Sequence, residues 1–343
     1  MKNLTSTLIH LASLLVVFVS IIFPCMVMAE GKVPVTVKTF VRAETDTAIK
    51  NVVGIAGLNT FFHLRGLTPL DKQDVIRMNR DTLYSSAVLD LTKPATVIMP
   101  ETGGRYQSLH VINQDHYSFA KTKPGKYKLT QKEVGSRYAY LIIRTFIDAD
   151  DPEDIKAANT IQDKLKIEGG GAGPLDIPDW NIEQMMTARD ALNTLAKLGG
   201  TNEGGFGTRE ETDPIAHLMW AAAGWGGLPL KNTFGDIGAV AKNDGTPHVL
   251  NVKDVPVNAF WSVIVYNADG FIPENSRGVY SYNNVTAKPN DDGSFTIYFG
   301  DCDDDSKNCL PISAGWNYVI RMYEPRPEVL DGSWKFPRIE PVK

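Results

Sequence analysis

Tyr106-x-Ser108-x-x-Val111-x-Asn113-x-Asp115 and Phe260-x-Ser262-x-x-Val265-x-Asn267-x-Asp269 write one strand twice within a chain of 343 residues. The likeness continues past these positions. Gly125-x-Tyr127-x-Leu129 and then Ile143-Arg144-x-Phe146 follow the first copy; Gly293-x-Phe295-x-Ile297 and then Ile320-Arg321-x-Tyr323 follow the second. Three strand-like elements recur in one order. Self-similarity at this distance points to two related β units in one chain.

Working outward, residues 74–146 are short β-branched and aromatic runs cut by turn signals at Lys93-Pro94, Thr102-Gly103-Gly104 and Lys123-Pro124-Gly125. That texture predicts about seven strands, enough for a sandwich. Asp151-Pro152-Glu153-Asp154 then opens a helix, with a capping acid, Pro in the first turn and acids favoured by the N-terminal dipole. A second helix is expected from about Asn181 to Leu198, and Asp213-Pro214 opens a third that runs to Gly224. Gly169-Gly-Gly-Ala-Gly173 reads as a link from helix to helix. It is not a phosphate cradle, because no Lys-Ser/Thr pair and no strand-to-helix context accompany it. From Ile237 the strand texture returns, at Val249 to Val252, Phe260 to Tyr266, Phe295 to Phe299 and Asn317 to Tyr323. Apolar residues at helical spacing between Val35 and Val53 predict an N-terminal helix.

The expected fold is therefore mainly β: two related β-sandwich, jelly-roll-like domains with an N-terminal helix and a helical insertion between them. The divisions are 1–29, a signal peptide; 30–74, the N-terminal helix and lead-in; 75–150, the first sandwich; 151–230, the helical insertion; and 231–343, the second sandwich. The leader rests on Lys2, the apolar run Leu11 to Phe23 and the small-x-Ala pattern Val27-Met28-Ala29, with cleavage after Ala29. An uncleaved anchor from Leu8 to Met28 is the competing reading. Export, most simply to a periplasm, follows from cleavage, with no stable membrane insertion afterwards.

A formal charge of −5 gives no basic face for nucleic acid. Cys302 and Cys309 remain after cleavage, and in an oxidising compartment they are expected to form a disulfide. The alternative is a Ca²⁺ site using Asp301, Asp303, Asp304 and Asp305; without EF-hand spacing, no metal or cofactor is assigned. Self-association into a homo-oligomer is compatible with this composition.

The densest polar stretch is Arg77-Met-Asn79-Arg80-Asp81-Thr-Leu-Tyr84. If extended throughout, it places Arg77, Asn79 and Asp81 on one face and Arg80 and Tyr84 on the other. A buried guanidinium needs a carboxylate or an anionic ligand, so this segment pins the units together or binds a substrate. The repeat adds Arg144 and Arg321 at equivalent positions. Asp115 and His116 form a second candidate, an acid beside an imidazole at one strand end. No Gly-x-Ser-x-Gly elbow and no His-Glu-x-x-His pair occur. The expected activity is a hydrolase acting on a polar or anionic small molecule or glycan at the junction. In that scheme Asp81, Asp115, His116 and Tyr84 are catalytic, and Arg77, Asn79, Arg80 and Arg321 bind substrate. The alternative is a non-catalytic ligand-binding or envelope-interaction protein, whose polar residues lock the sandwiches.

The segments Phe40-Val-Arg42-Ala-Glu44-Thr-Asp46, Asn79-Arg-Asp-Thr-Leu-Tyr84, Val111-Ile-Asn-Gln-Asp-His-Tyr117 and Trp316-Asn-Tyr-Val-Ile-Arg-Met-Tyr-Glu-Pro-Arg326 carry a resemblance. Together they resemble exported bacterial proteins that pair two domains of unknown function, numbered twelve fifty-four and twelve fourteen. The resemblance implies a two-sandwich, jelly-roll-like fold with helices between and a bacterial, periplasmic setting. It implies no reaction and no catalytic residues.

Overall fold

The computed structural model describes residues 31–73, 75–198, 201–238, 240, 242–303 and 307–342. The expected signal peptide and two residues of the acidic loop, Asp304 and Asp305, lie outside the described residues.

Helix α1 (Phe40–Ala56) starts five residues later than the pattern predicts, after Thr39. A short β1 (Phe62–His63) follows, then β2 (Thr82–Asp90), β3 (Ala95–Met99), β4 (Gln107–Asn113), β5 (Ser118–Lys121), β6 (Gly125–Leu129), the one-turn α2 (Gln131–Val134) and β7 (Tyr138–Phe146). Next come α3 (Pro152–Gln162), β8 (Lys166–Gly169), α4 (Ile182–Ala196) and α5 (Pro214–Ala223). The second unit contains β9 (Thr233–Gly238), β10 (His248–Val252), β11 (Trp261–Tyr266), β12 (Ser281–Asn283), β13 (Phe295–Phe299), β14 (Cys309–Leu310), β15 (Asn317–Tyr323), α6 (Pro327–Leu330) and β16 (Glu340–Pro341).

Each unit is a pair of sheets around its own core. Sheet β1-β2-β7-β4-β5 packs on β6-β3-β8 through Leu89, Val97, Leu109, Leu141 and Ile143. Sheet β12-β11-β15-β9 packs on β14-β13-β10-β16 through Leu250, Val263, Ile297, Trp316 and Ile320. The duplication is topological as well as sequential. Strands β2 to β8 correspond in order to β9, β10, β11, β12, β13, β15 and β16, since β7 lies between β2 and β4 as β15 lies between β9 and β11, and β3 is central as β10 is.

The repeated Asn and Asp have one local job. Asn113 Oδ1 accepts from the N–H groups of Asp115 and Tyr117 (2.9 and 3.0 Å), and Asn267 Oδ1 accepts from those of Asp269 and Phe271 (3.0 and 2.9 Å). This is the side-chain turn that Asn makes at strand ends. The next position requires positive φ: Gly270 supplies it at 87°, and His116 adopts it at 66°.

Two expectations need correction. The segment from Arg77 to Asp81 is not strand; Arg77 has φ 53° and the strand begins at Thr82, so alternation does not decide which of its side chains share a face. The insertion between the units is not wholly helical, because β8 completes the small sheet of the first sandwich beside β3. The glycine run therefore leaves a strand rather than a helix. A Cβ on Gly169 would stand 2.7 Å from the Pro94 carbonyl, and one on Gly171 would meet Thr92 and Asp90, so the run is glycine because it crosses the β2–β3 turn in contact. Cys302 and Cys309 form the expected disulfide.

Helix α1 covers one end of the outer face of the β2-β7-β4 sheet, with Ile49 and Val52 against Val88, Ile112 and Tyr140. The other end meets the second unit. There the repeat brings its own equivalents together: Tyr106 and Phe146 from the first unit, Phe260 and Tyr323 from the second. Phe146 to Phe260 (4.6 Å) and Tyr106 to Tyr323 (5.3 Å) are contacts that exchange when the units are interchanged, and Tyr106 to Phe260 (5.5 Å) maps onto itself. The junction is pseudo-two-fold. Truncating Phe260 to Ala removes the ring that touches all three partners and is expected to cost about 3–5 kcal/mol, read as a lowered urea midpoint. A loss under 1 kcal/mol would mean that the aromatic cluster does not hold the units together.

Candidate functional site

The loop ahead of β2 enters the junction and is held there mainly by its backbone. Arg77 N–H donates to the Gly270 carbonyl (2.7 Å), the Tyr266 hydroxyl donates to the Met78 carbonyl (2.7 Å), and Arg321 Nη2 donates to the Arg77 carbonyl (2.6 Å). Arg321 Nη1 reaches the Tyr266 hydroxyl at 3.1 Å. Sequence order explains who faces whom: Ser262, Tyr266, Arg321 and Tyr323 alternate outward from the β11–β15 pair, in which Ser262 and Arg321 are direct cross-strand partners.

Asn79 and Asp81 close the network. Asn79 Oδ1 accepts from Asp81 N–H (2.9 Å), while its amide donates to Thr82 Oγ1, the Tyr84 hydroxyl and the Tyr323 hydroxyl at 3.2, 3.4 and 3.0 Å. Asp81 is 1% exposed; Oδ2 accepts from Ser262 Oγ at 2.6 Å, and Oδ1 is buried without a partner. Burial raises the Asp81 carboxyl above its ordinary value, against the opposing pull of Ser262 and the Arg321 charge. Burial also works against the charge on Arg321, but Tyr266, Tyr323 and Asp81 outweigh it and hold that group above its usual range. For Tyr84 burial pushes upward, yet Arg144, Asn79, Thr82 and Arg321 together bring it below the usual phenol value. Of the expected residues, the structure brings Arg77, Asn79, Asp81, Tyr84 and Arg321 together here.

Arg80 lies at the rim. Its guanidinium stacks 4.8 Å from the centre of Tyr280 and makes no hydrogen bond or ion pair to any described residue. It borders a narrow cleft between the units, with Asp81, Asp148 and Asp150 from the first and Ser281 and Asn283 from the second. Burial lowers the Arg80 value, with Asp150 and Tyr280 opposing, and burial followed by the Asp148 charge raises Asp150.

Asp115 and His116 stand elsewhere and do not form an acid–base pair. Asp115 is bound by Arg42 of α1, Nε and Nη2 at 2.9 and 2.6 Å from Oδ1. His116 is 1% exposed, and its Nε2 accepts from Gly226 N–H at 2.9 Å, which places the proton on Nδ1. Burial, then the neighbouring His217, pushes it down to about 3, so it stays neutral at any ordinary pH. The positive φ turns its ring beneath Trp225 and Phe206 instead of toward Asp115. Ser262, Tyr266 and Tyr323 carry the junction with Asp81 and were not among the expected site residues. Their signal was in the repeat, whose outward-facing positions they occupy. Among the described residues no group of three or more His, Cys, Asp and Glu is placed to hold a metal ion.

Linkage gives two opposite pH signatures. Asp81, raised in the folded state, favours folding below the ordinary value of 3.8, and that contribution is lost as pH rises through its folded value. Urea midpoints of the wild type are expected to fall relative to Asp81→Asn as pH increases above about 4; a widening wild-type advantage would refute the raised acid. His116, lowered in the folded state, contributes stability above the ordinary 6.5 that is lost as pH falls toward about 3. His116→Gln should flatten that acid limb, and an unchanged slope between pH 6.5 and 4 would show that the imidazole is not buried neutral.

Residues 58–169 match the family described as Protein of unknown function (DUF1254), and residues 234–327 match Protein of unknown function (DUF1214). None of the curated proteins matches the chain significantly. The crystal structure of the VPA0106 protein from Vibrio parahaemolyticus is similar to it with a TM-score of 0.66 at 19% identity, over 89% of this chain and 98% of that one. A putative uncharacterized protein from Burkholderia cenocepacia is similar at a TM-score of 0.50 and 16% identity, over 89% of this chain and 88% of that one. At these identities the likeness is one of fold.

Proposed function

Because the chain belongs to the family of proteins that join a DUF1254 domain to a DUF1214 domain, and that family prescribes no chemistry, we propose from the site alone that it is an exported, non-catalytic binding protein. Its ligand is a polar small molecule or glycan that presents an anionic group to Arg80 at the rim of the narrow cleft between the sandwiches. The observation that carries this reading is Arg80, a partly buried guanidinium stacked on Tyr280 with no hydrogen bond or ion pair among the described residues. A guanidinium stripped of part of its water gains most from a planar anion that takes two of its donors. Asp148, Asp150, Ser281 and Asn283 around it offer acceptors and donors to hydroxyls.

Hydrolysis is the weaker reading for this site. The imidazole expected to move protons is held neutral and occupied by Gly226, and Asp115 is neutralised by Arg42. What remains, the Asp81 to Arg321 network, has its donors committed to the loop backbone and to Tyr266. Those contacts support the expectation that these residues lock the units.

The test is a thermal-shift screen of the leader-free chain against oligosaccharides and small anionic metabolites. A ligand at a hundred times its dissociation constant adds about 2.7 kcal/mol to the stability of the folded state. Arg80→Ala is expected to abolish that shift while changing the stability of the unliganded protein by less than about 1 kcal/mol, since no hydrogen bond is lost. A shift that survives in Arg80→Ala, or hydrolysis of a screened glycan, would overturn the proposal.

A further inference from the structure

The pseudo-two-fold axis makes the two halves of the junction directly comparable. Asp81 precedes β2 as Asn232 precedes β9: Ile147 N–H donates to the Asp81 carbonyl, Glu324 N–H donates to the Asn232 carbonyl (both 2.9 Å), and the next residues, Thr82 and Thr233, pair with Phe146 and Tyr323. Ser262 and Arg321 are cross-strand partners, and so are Ser108 and Arg144. By the pseudo-two-fold exchange, Asp81 and Ser262 correspond to Asn232 and Ser108, and the hydrogen bond that joins the first pair is not made by the second. One half of the junction has an acid beside its arginine; the other has an amide.

The consequences are visible in the hydrogen bonds. Arg321 donates to Tyr266 and to the Arg77 carbonyl and has no ion pair within 4 Å among the described residues, but the Asp81 carboxyl, which binds Ser262, acts on its charge. Arg144, 8% exposed, has no ion pair among the described residues; Nη2 donates to the Gly226 carbonyl (2.8 Å) and Nη1 reaches His110 Nδ1 (3.4 Å). Since arginine can only donate, His110 accepts at Nδ1 and carries its proton on Nε2. Among the described residues that Nε2–H is buried without a partner, as are the Thr233 hydroxyl and the Asn232 side-chain oxygen, while the Tyr106 and Ser108 hydroxyls have at most each other. Tyr106 and Ser108 lie on the same outward face as Arg144 and His110. Thr233 enters from the second unit opposite Tyr323, whose ring is 5.3 Å from that of Tyr106.

A buried guanidinium without a carboxylate, ringed by unused O–H and N–H groups, lacks one thing: negative charge with several acceptor lone pairs. We propose that this half of the junction is a binding site for a small oxyanion, a carboxylate, sulfate or phosphate group, held by Arg144, Tyr106, Ser108 and His110 where the other half uses Asp81. None of these four residues lines the Arg80 cleft. Bound there, the anion would tie the two units together, so occupancy and domain docking are coupled.

Titration calorimetry of the full leader-free chain with inorganic phosphate, sulfate and acetate, at matched ionic strength against chloride, tests this. Saturable uptake of one anion per chain is expected. Asn232→Asp supplies internally the acid that the other half possesses; it should weaken that uptake at least tenfold and raise the urea midpoint in anion-free buffer. Equal uptake by Asn232→Asp, or no uptake of any of the three anions, overturns the proposal. If Asn232→Asp does not fold, Ser108→Ala, which removes a donor without adding charge, should weaken uptake several-fold; unchanged affinity in that folded variant is equally fatal. Crystals grown in phosphate should show it on these four side chains, and density for water alone would refute the assignment. Uptake that is lost in Arg80→Ala but kept in Asn232→Asp would put the anion at the cleft and overturn the assignment.

Discussion

The structure depends on seating Arg321 of the second unit against the loop from Arg77 to Asp81 of the first, where its buried charge meets acceptors. An unpartnered buried charge costs several kcal/mol, more than most single contacts contribute, so this part of the junction is held to the geometry in which Arg321 finds acceptors. Arg321 finds them in the Arg77 carbonyl and Tyr266, with the Asp81 carboxyl nearby. The loop from Arg77 to Asp81 therefore takes the shape its acceptors must have, including positive φ at Arg77, and gives up the strand conformation that its composition suggests. Local propensity yields here to the demand of one buried cation from the other unit.

The aromatic cluster supplies what this polar network cannot. Tyr106, Phe146, Phe260 and Tyr323 bury large apolar surface at the pseudo-two-fold axis, and their edge-to-face and stacked contacts fix how the units are rotated against each other. The polar groups on either side of it then have defined partners. Burial drives association, and hydrogen bonding selects its geometry, because a rotated arrangement would strand Asp81, Arg321 and Asn79 among rings.

Much of the fold was legible because duplication writes the same physical requirement twice. The strand limits Phe295–Phe299 and Asn317–Tyr323 coincide with the apolar runs, and the repeated Asn113 and Asn267 make the same turn in both copies. The short strand β8 was not legible, since Lys166–Gly169 is nearly all exposed and is strand only because β3 offers it an edge. The loop at Arg77 failed for the reason already given. Around the site, adjacency in sequence was a poor guide: Asp115 and His116 are neighbours in the chain, but a left-handed residue sends their side chains to Arg42 and to Gly226. Arg42, Gly226, Ser262 and Tyr266 are distant in sequence, and nothing but the folded sheet faces selects them.

Comparison of the copies separates what architecture requires from what chemistry uses. Positions that agree, Ser108 with Ser262, Asn113 with Asn267 and Arg144 with Arg321, occupy equivalent turns and equivalent cross-strand sites. Positions that differ change the electrostatics while leaving the backbone as it was: Asp81 against Asn232, and His116 against Gly270 at one positive-φ position. A glycine there is conformationally free, whereas a histidine pays strain in return for a hydrogen bond to Gly226, the residue whose carbonyl also holds Arg144. The imidazole thus acts through position, seating the segment that closes over Arg144. The duplicated fold is pseudo-symmetric in its strands and asymmetric in charge, and the half without an acid is where an external anion has a physical reason to bind.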